Sequence, residues 1–193
     1  MPYSAVPLEP SLHFRHQPSQ WPGRVDAAAR RCQGDAVSHP EPGTVVVRTL
    51  AEHPMVEAGG PSALRMVAPG SHTAGRFGLV EYRLAPHSPG AAPHYHQTFS
   101  ESFYVLAGTL TVYADGAWRP CSAGDFALVH ERGVHGFRND GDEPADFLIL
   151  FAPGIAREHF FAEMAELRRS GRTLSPEEMT AFYARHDQVM VDV

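Results

Sequence analysis

The sequence predicts an all-β chain, an antiparallel barrel or sandwich with an arm before it and a pair of helices after it. Three observations carry this. Short runs rich in Val, Thr, Phe and Tyr recur between Thr44 and Phe151, parted by Gly and Pro. They follow one another too closely for helical crossovers, so antiparallel pairing is expected instead of βαβ units. After Pro153-Gly154 the apolar period changes from that of a strand to that of a helix.

Taken in order, residues 1–43 are punctuated by seven prolines, from Pro2 to Pro42, and only Val25 to Cys32 reads as helical. Such a segment is expected to wrap over a core or a partner subunit. The expected strands are Thr44–Leu50, Ala63–Val67, Phe77–Leu84, Ser102–Ala107, Leu110–Ala114, Phe126–His130 and Phe147–Phe151. Ala107-Gly108-Thr109 and Asp115-Gly116 are the turns between them. Ile155 to Ser170 then carries Phe160, Phe161, Met164 and Leu167 on one face, with Gly171 as a C-cap. Ser175-Pro-Glu-Glu178 is a capping box, and Met179, Phe182, Tyr183 and His186 recur behind it at helical spacing. The expected organisation is an arm (1–43), a β domain (44–152) and a helical tail packing on it (153–193).

Composition narrows the classes of function. In 193 residues there are 22 acidic and 16 basic side chains, every base an arginine, for a net charge of -6. An anionic chain without a basic cluster is not expected to bind nucleic acid or an anionic membrane surface. No apolar run reaches the ~20 residues of a membrane helix, and the amino terminus does not read as a secretory signal. Two cysteines, Cys32 and Cys121, are too few for a disulfide framework. A reduced cytoplasmic setting is therefore expected, with Cys121 a structural thiol. Histidine, with twelve residues, is the over-represented type.

The chemistry concentrates in two stretches. In Pro93-His94-Tyr-His96, two imidazoles separated by one residue share a face of an extended strand, about 6–7 Å apart, and can converge on one ion. Glu101 follows after Gln-Thr-Phe-Ser, a turn expected to bring its carboxylate back beside them. Gly124 to Asn139 supplies a third imidazole, His135, from a strand distant in sequence. Phe103 and Val105 share the parity of Glu101, and Phe137 that of His135, so all three are expected to face inward. With Phe99 they are candidate pocket residues. His13 and His16 read as part of a polar arm.

The two stretches resemble the paired motifs of the cupin superfamily, G-x5-H-x-H-x3,4-E-x6-G and G-x5-P-x-G-x2-H-x3-N. His94, His96, Glu101 and Gly108 match the first, and Gly124, His135 and Asn139 the second. Gly90 stands closer to His94 than the motif has it. His130 replaces the motif's Pro and Arg132 its Gly, which makes His130, near the expected barrel mouth, another candidate to touch ligand. Over roughly residues 44–190 the chain is similar to single-domain bacterial cupins of the quercetin-dioxygenase type. That resemblance implies a jelly-roll β-barrel and one divalent transition metal ion per chain, Fe, Mn, Co, Ni or Zn. It implies His94, His96, Glu101 and His135 as ligands, and Glu101 as base toward a substrate hydroxyl. It also implies a homodimer.

The expected function is a metal-dependent dioxygenase acting with O2 on an aromatic or enol-type small molecule. The same ligands serve two competing expectations. One is an isomerase, decarboxylase or cyclase that works without O2; the other is a non-catalytic small-molecule binder. A DNA-reading regulator is not expected, because the arm is proline-rich and the charge acidic.

Overall fold

The computed structural model describes residues 43–193, apart from Pro54 and Gly60. The arm, with its helical hint at Val25 to Cys32 and with His13 and His16, lies outside the described residues. In chain order the strands are β1 (Val56–Gly59), β2 (Ser62–Ala68), β3 (Gly78–Leu84), β4 (Ala91–Tyr95), β5 (Ser100–Ala107) and β6 (Thr109–Ala114). They continue with β7 (Ala117–Ser122), β8 (Phe126–Val129), β9 (His135–Arg138), β10 (Ala145–Ala152) and, after two helices, β11 (Val189–Met190). They form two antiparallel sheets, ordered β1-β2-β3-β10-β5-β8 and β11-β4-β9-β6-β7. Beyond β3 the chain passes repeatedly from one sheet to the other, the connectivity of a jelly roll.

The core lies between the sheets. β10 alternates buried and half-buried residues, sending Ala145, Phe147, Ile149 and Phe151 inward. Its neighbours answer with Val80 of β3 and with Phe103 and Val105 of β5. From the facing sheet come Leu110, Val112 and Phe137. Fully burying a side chain of this size contributes about 1.5–3 kcal/mol. Aromatic edges meet faces throughout, as between Phe137 and Phe147 at 5.4 Å.

Two turns show why the sequence punctuates where it does. Asp115 and Gly116 both take positive φ, 50° and 78°, as the tight hairpin between β6 and β7 requires. Gly108, between β5 and β6, has φ 72°, and a Cβ there would fall 2.2 Å from the Pro144 carbonyl oxygen. No side chain fits.

One expectation is corrected. Thr44–Leu50 is not a strand: residues 44–49 join no ladder, and Leu50–Glu52 forms a 3-10 turn. Its β-branched residues signal a capacity to pair, which needs a partner edge. The edge of β2 is instead taken by β1, while Arg48 fastens the segment through the carbonyls of Met66 and Val67. The strand near the start of the domain is thus Val56–Gly59. β7 was not among the expected strands; it carries Pro120 and lies at a sheet edge, where a proline is tolerated.

The helices are α1 (Arg157–Ser170) and α2 (Pro176–Arg185). α1 ends on Gly171 at φ 65°, and α2 begins with a closed capping box, Ser175 Oγ accepting from the Glu178 amide at 3.2 Å. α1 sets Phe161 against the barrel core, its ring 6.5 Å from that of Phe151. The tail is more than a cover. Past α2 the chain turns at Asp187 and adds β11 to the edge of β4.

Candidate metal centre

His94 in β4 and His135, the first residue of β9, are register partners across one sheet. His96 follows just beyond β4. Glu101 comes from β5 in the facing sheet, opposite Phe151 of β10. The Gln97–Ser100 connection therefore does not fold back beside β4, as the sequence suggested. It carries the chain across the barrel, and the carboxylate meets the imidazoles from the other side. All four side chains are buried, between 1% and 4% exposed. One ligand atom from each can be chosen so that all lie within 4.8 Å of one another.

Backbone carbonyls fix the tautomers. His94 Nδ1 donates to Ala92 O at 2.8 Å, His135 Nδ1 to Gly133 O at 3.0 Å and His96 Nδ1 to Asp187 O at 2.6 Å. A carbonyl oxygen only accepts, so each Nδ1 carries a hydrogen and each neutral ring turns an Nε2 lone pair inward. Glu101 Oε2 lies 3.0 Å from His96 Nε2 and 2.8 Å from His135 Nε2. An acceptor facing two acceptors needs a cation between them, either protons or a metal ion.

The electrostatics agree. Burial pushes the Glu101 carboxyl up, but the hydrogen bonds and positive charge of His135 and His96 outweigh it and hold the pKa well below the usual range. Burial pulls His135 down, yet its bond to Glu101 leaves it raised. His94 has no such partner. Burial, then the neighbouring charge of His135, lowers its pKa to about 3, so it stays a neutral donor.

These residues fit a divalent transition ion. Ligand atoms 2.0–2.2 Å from an ion lie at most about 4.4 Å apart, so the group needs to close by only a few tenths of an ångström. Three imidazoles and one carboxylate suit Fe, Mn, Co, Ni or Zn alike.

A second layer holds His96. The Asp187 carboxylate accepts from the amides of Gln97 and Thr98 and from Thr98 Oγ1, the last at 2.6 Å, while its backbone oxygen receives His96 Nδ1. From the other side the Arg132 amide donates to His96 O at 2.6 Å. Arg132 has φ 67°, which explains why the motif has glycine at that position. Phe99 stacks on the His96 ring at 4.1 Å.

Over the four residues, between the barrel mouth and α1, lies a cavity of about 1150 Å³. His94 and Glu101 are at its base; Tyr82, Phe137, Ile149 and Phe151 form its walls; Phe160 and Met164 close it from α1. Of the candidate pocket residues, Phe137 lines this space. Phe103 and Val105 face inward as expected but are packed into the core, and Phe99 lies behind His96. His130 is exposed on the loop after β8 and does not line the cavity, because the loop turns it outward. Sequence reading missed Asp187 and Arg157. Arg157 carried one legible sign, a cation in the first turn of a helix, where the dipole opposes it.

A family model described as a cupin domain matches residues 80–151, the stretch that holds all four residues. Residues 80–151 are thus a cupin domain. The chain is 35% identical over 102 residues to the quercetin 2,3-dioxygenase of Bacillus subtilis (strain 168), covering 53% of this chain and 29% of that one. It is 34% identical over 61 residues to an uncharacterized protein of Aquifex aeolicus (strain VF5), covering 32% of this chain and 50% of that one. The chain thus spans half or less of these curated relatives. Among solved structures, KdgF from Halomonas sp. superposes with a TM-score of 0.50 at 21% identity, over 57% of this chain and 94% of that one, a likeness of fold. No helix among the described residues is long and apolar enough to cross a membrane.

Proposed function

We propose that this protein is a metal-dependent dioxygenase acting on an aromatic or enol-type small molecule, holding one divalent transition ion at His94, His96, Glu101 and His135. The observation that carries the reading is the set of four buried ligand residues, two of which, His94 and Glu101, line a largely apolar cavity. The likeness to the Bacillus subtilis quercetin 2,3-dioxygenase over 102 residues supports the choice of chemistry.

An ion held here supplies Lewis acidity and open positions for a substrate oxygen and for O2. The chain does the rest. His94, neutral through most of the pH range, presents a lone pair without competing for a proton. Glu101, kept ionised by its neighbours, takes the proton of the substrate hydroxyl. Phe137, Ile149 and Phe151 exclude water and hold the substrate ring near that carboxylate.

The test is elemental analysis of the wild type beside His96→Ala and Glu101→Ala, with circular dichroism for fold, followed by O2 uptake with flavonols and small enols. The reading expects near-stoichiometric Fe, Mn, Co, Ni or Zn, diminished in both variants, and O2 uptake abolished by Glu101→Ala. A wild type that binds none of these ions overturns it. Substrate turnover without O2 replaces the dioxygenase with an isomerase, decarboxylase or cyclase.

The reading includes a homodimer. On the outer face of β5 and β8, Tyr104, Leu106, Phe126 and Leu128 are exposed together, with Tyr104 directly paired to Phe126. Light scattering tests it, and a monomer at micromolar concentration refutes it.

A further inference from the structure

The cavity holds one strong charge that the metal site leaves unused. Arg157, at the first position of α1, is 5% exposed, and no carboxylate among the described residues pairs with it. Its Nη1 donates to His186 O at 2.9 Å and its Nη2 to Gln188 Oε1 at 2.7 Å, both neutral acceptors. Its Nε is buried without a partner. Aromatic rings surround the guanidinium: Phe160 at 4.0 Å, Phe99 and Phe151 each at 5.8 Å, and Phe161 at 6.0 Å.

An unpaired buried cation is costly, and cation–π contacts recover only part of that cost. The location adds to it, since a helix amino end favours an anion and disfavours a cation. Burial has lowered the Arg157 pKa to about 10, which still leaves it charged at neutral pH. Its charge is felt by Glu101, Asp187 and His135, so it lies near the cluster without a direct ion pair. Glu158, the next residue, directs Oε1 to the Ser71 amide instead of to Arg157. The charged cavity-lining residues are Glu101 and Glu158 against Arg157, Arg168 and Arg169, and a divalent ion would add to the positive side.

We propose that Arg157 is the anion-recognising residue of this cavity, and that the molecule it admits is an apolar, aromatic-sized body bearing one carboxylate. The inference rests on the cavity's being the substrate site and deepens the reading above. A guanidinium offers five N–H donors, two of which are used here, leaving Nε–H and others for a carboxylate. The arginines of the cavity outnumber its carboxylates, so a monoanion is favoured beside Arg157, and the rings take its apolar body. The recognised carboxylate stands apart from the hydroxyl or enol oxygen at Glu101, so the substrate is held at two points.

The test compares 3-phenylpropionate with 3-phenylpropanamide, which share a body and differ in charge. Calorimetric titration is made on wild type, Arg157→Gln and Arg157→Lys, each both stripped of metal by chelator and loaded with Zn2+. Wild type is expected to bind the carboxylate at least about tenfold more tightly than the amide. Arg157→Gln is expected to lose that preference with amide binding unchanged, and Arg157→Lys to keep part of it. Equal binding of the two probes by wild type overturns the proposal, as does no carboxylate binding at about millimolar concentration. A preference that survives in folded Arg157→Gln also overturns it. Because Arg157 braces the turn at His186, circular dichroism and melting accompany each variant; if neither folds, the wild-type comparison decides alone. A carboxylate preference in stripped protein upholds the proposal even where no ion binds. Failure of the metalloenzyme reading is thereby kept separate.

Discussion

Asp187 lies outside both cupin motifs, yet its removal should weaken metal binding. Its backbone oxygen is the acceptor that fixes His96 Nδ1, at 2.6 Å, and its carboxylate ties the same turn to the Gln97 and Thr98 amides and Thr98 Oγ1. Burial works against the carboxylate charge, but these bonds outweigh it and keep the pKa below the ordinary aspartate value. The lock is therefore present above the carboxylate range and is released as pH falls through that depressed value. Asp187→Ala removes the carboxylate and adds the cost of a left-handed backbone, φ 52°, of about 1–2 kcal/mol. Loss of an outer partner of a metal-binding histidine typically costs 10–100-fold in affinity, about 1.4–2.7 kcal/mol. Asp187→Asn tolerates the same backbone and keeps one acceptor oxygen, so it should lose less. The assay is competition for Zn2+ or Co2+ against a chromophoric chelator, below the melting temperature of each variant. The expected order is wild type, then Asp187→Asn, then Asp187→Ala. Wild-type affinity in a folded Asp187→Ala protein refutes the claim that this turn orients His96.

Two further outcomes are expected. In metal-free protein the raised His135 pKa contributes stability below its unfolded value, about 6.5, that is lost as pH rises through the folded value. The depressed Glu101 pKa contributes stability above about 4.3, lost as pH falls through its folded value. Metal-free stability by urea unfolding should thus fall at both ends, and Glu101→Gln should flatten the alkaline limb; an unchanged alkaline limb removes the ion pair from the account. Asn139 is a motif residue with a structural task, donating Nδ2 to the carbonyls of Leu84, Ala85 and Glu143 while Oδ1 accepts from the Gly141 amide. Asn139→Ala should cost about 2–4 kcal/mol at about 1–3 per group left unpaired, with metal stoichiometry intact in the folded protein. A folded variant that loses its metal contradicts that assignment.

The candidate metal cluster was legible because its code is local. His94 and His96 share a face by strand parity, and the spacing of Glu101, Gly108, Gly124 and His135 is a pattern that sequence alone carries. The helices were legible for the same reason: a capping box, a terminal glycine and a helical apolar period are each contained within a few residues. Thr44–Leu50 shows the limit of such reasoning. Its composition is that of a strand, but a strand exists only where another edge accepts it.

What the tertiary structure decided is which distant polar groups turn inward. Nothing local distinguishes Asp187 from the other acids of the tail, yet it reaches His96 across 91 residues because β11 returns to the edge of β4. Glu101 meets the histidines from the facing sheet and not from a hairpin, since β4 and β5 lie in different sheets. His130, on a loop like many functional residues, points to solvent, while Arg157, on a helix that reads as a simple cover, points into the cavity. Side-chain periodicity assigns a residue to a face, and the packing of one element on another determines what that face meets. The sequence by itself determined the candidate ligand set and the class of fold; the closure of α1 and β11 over the barrel decided what surrounds those residues.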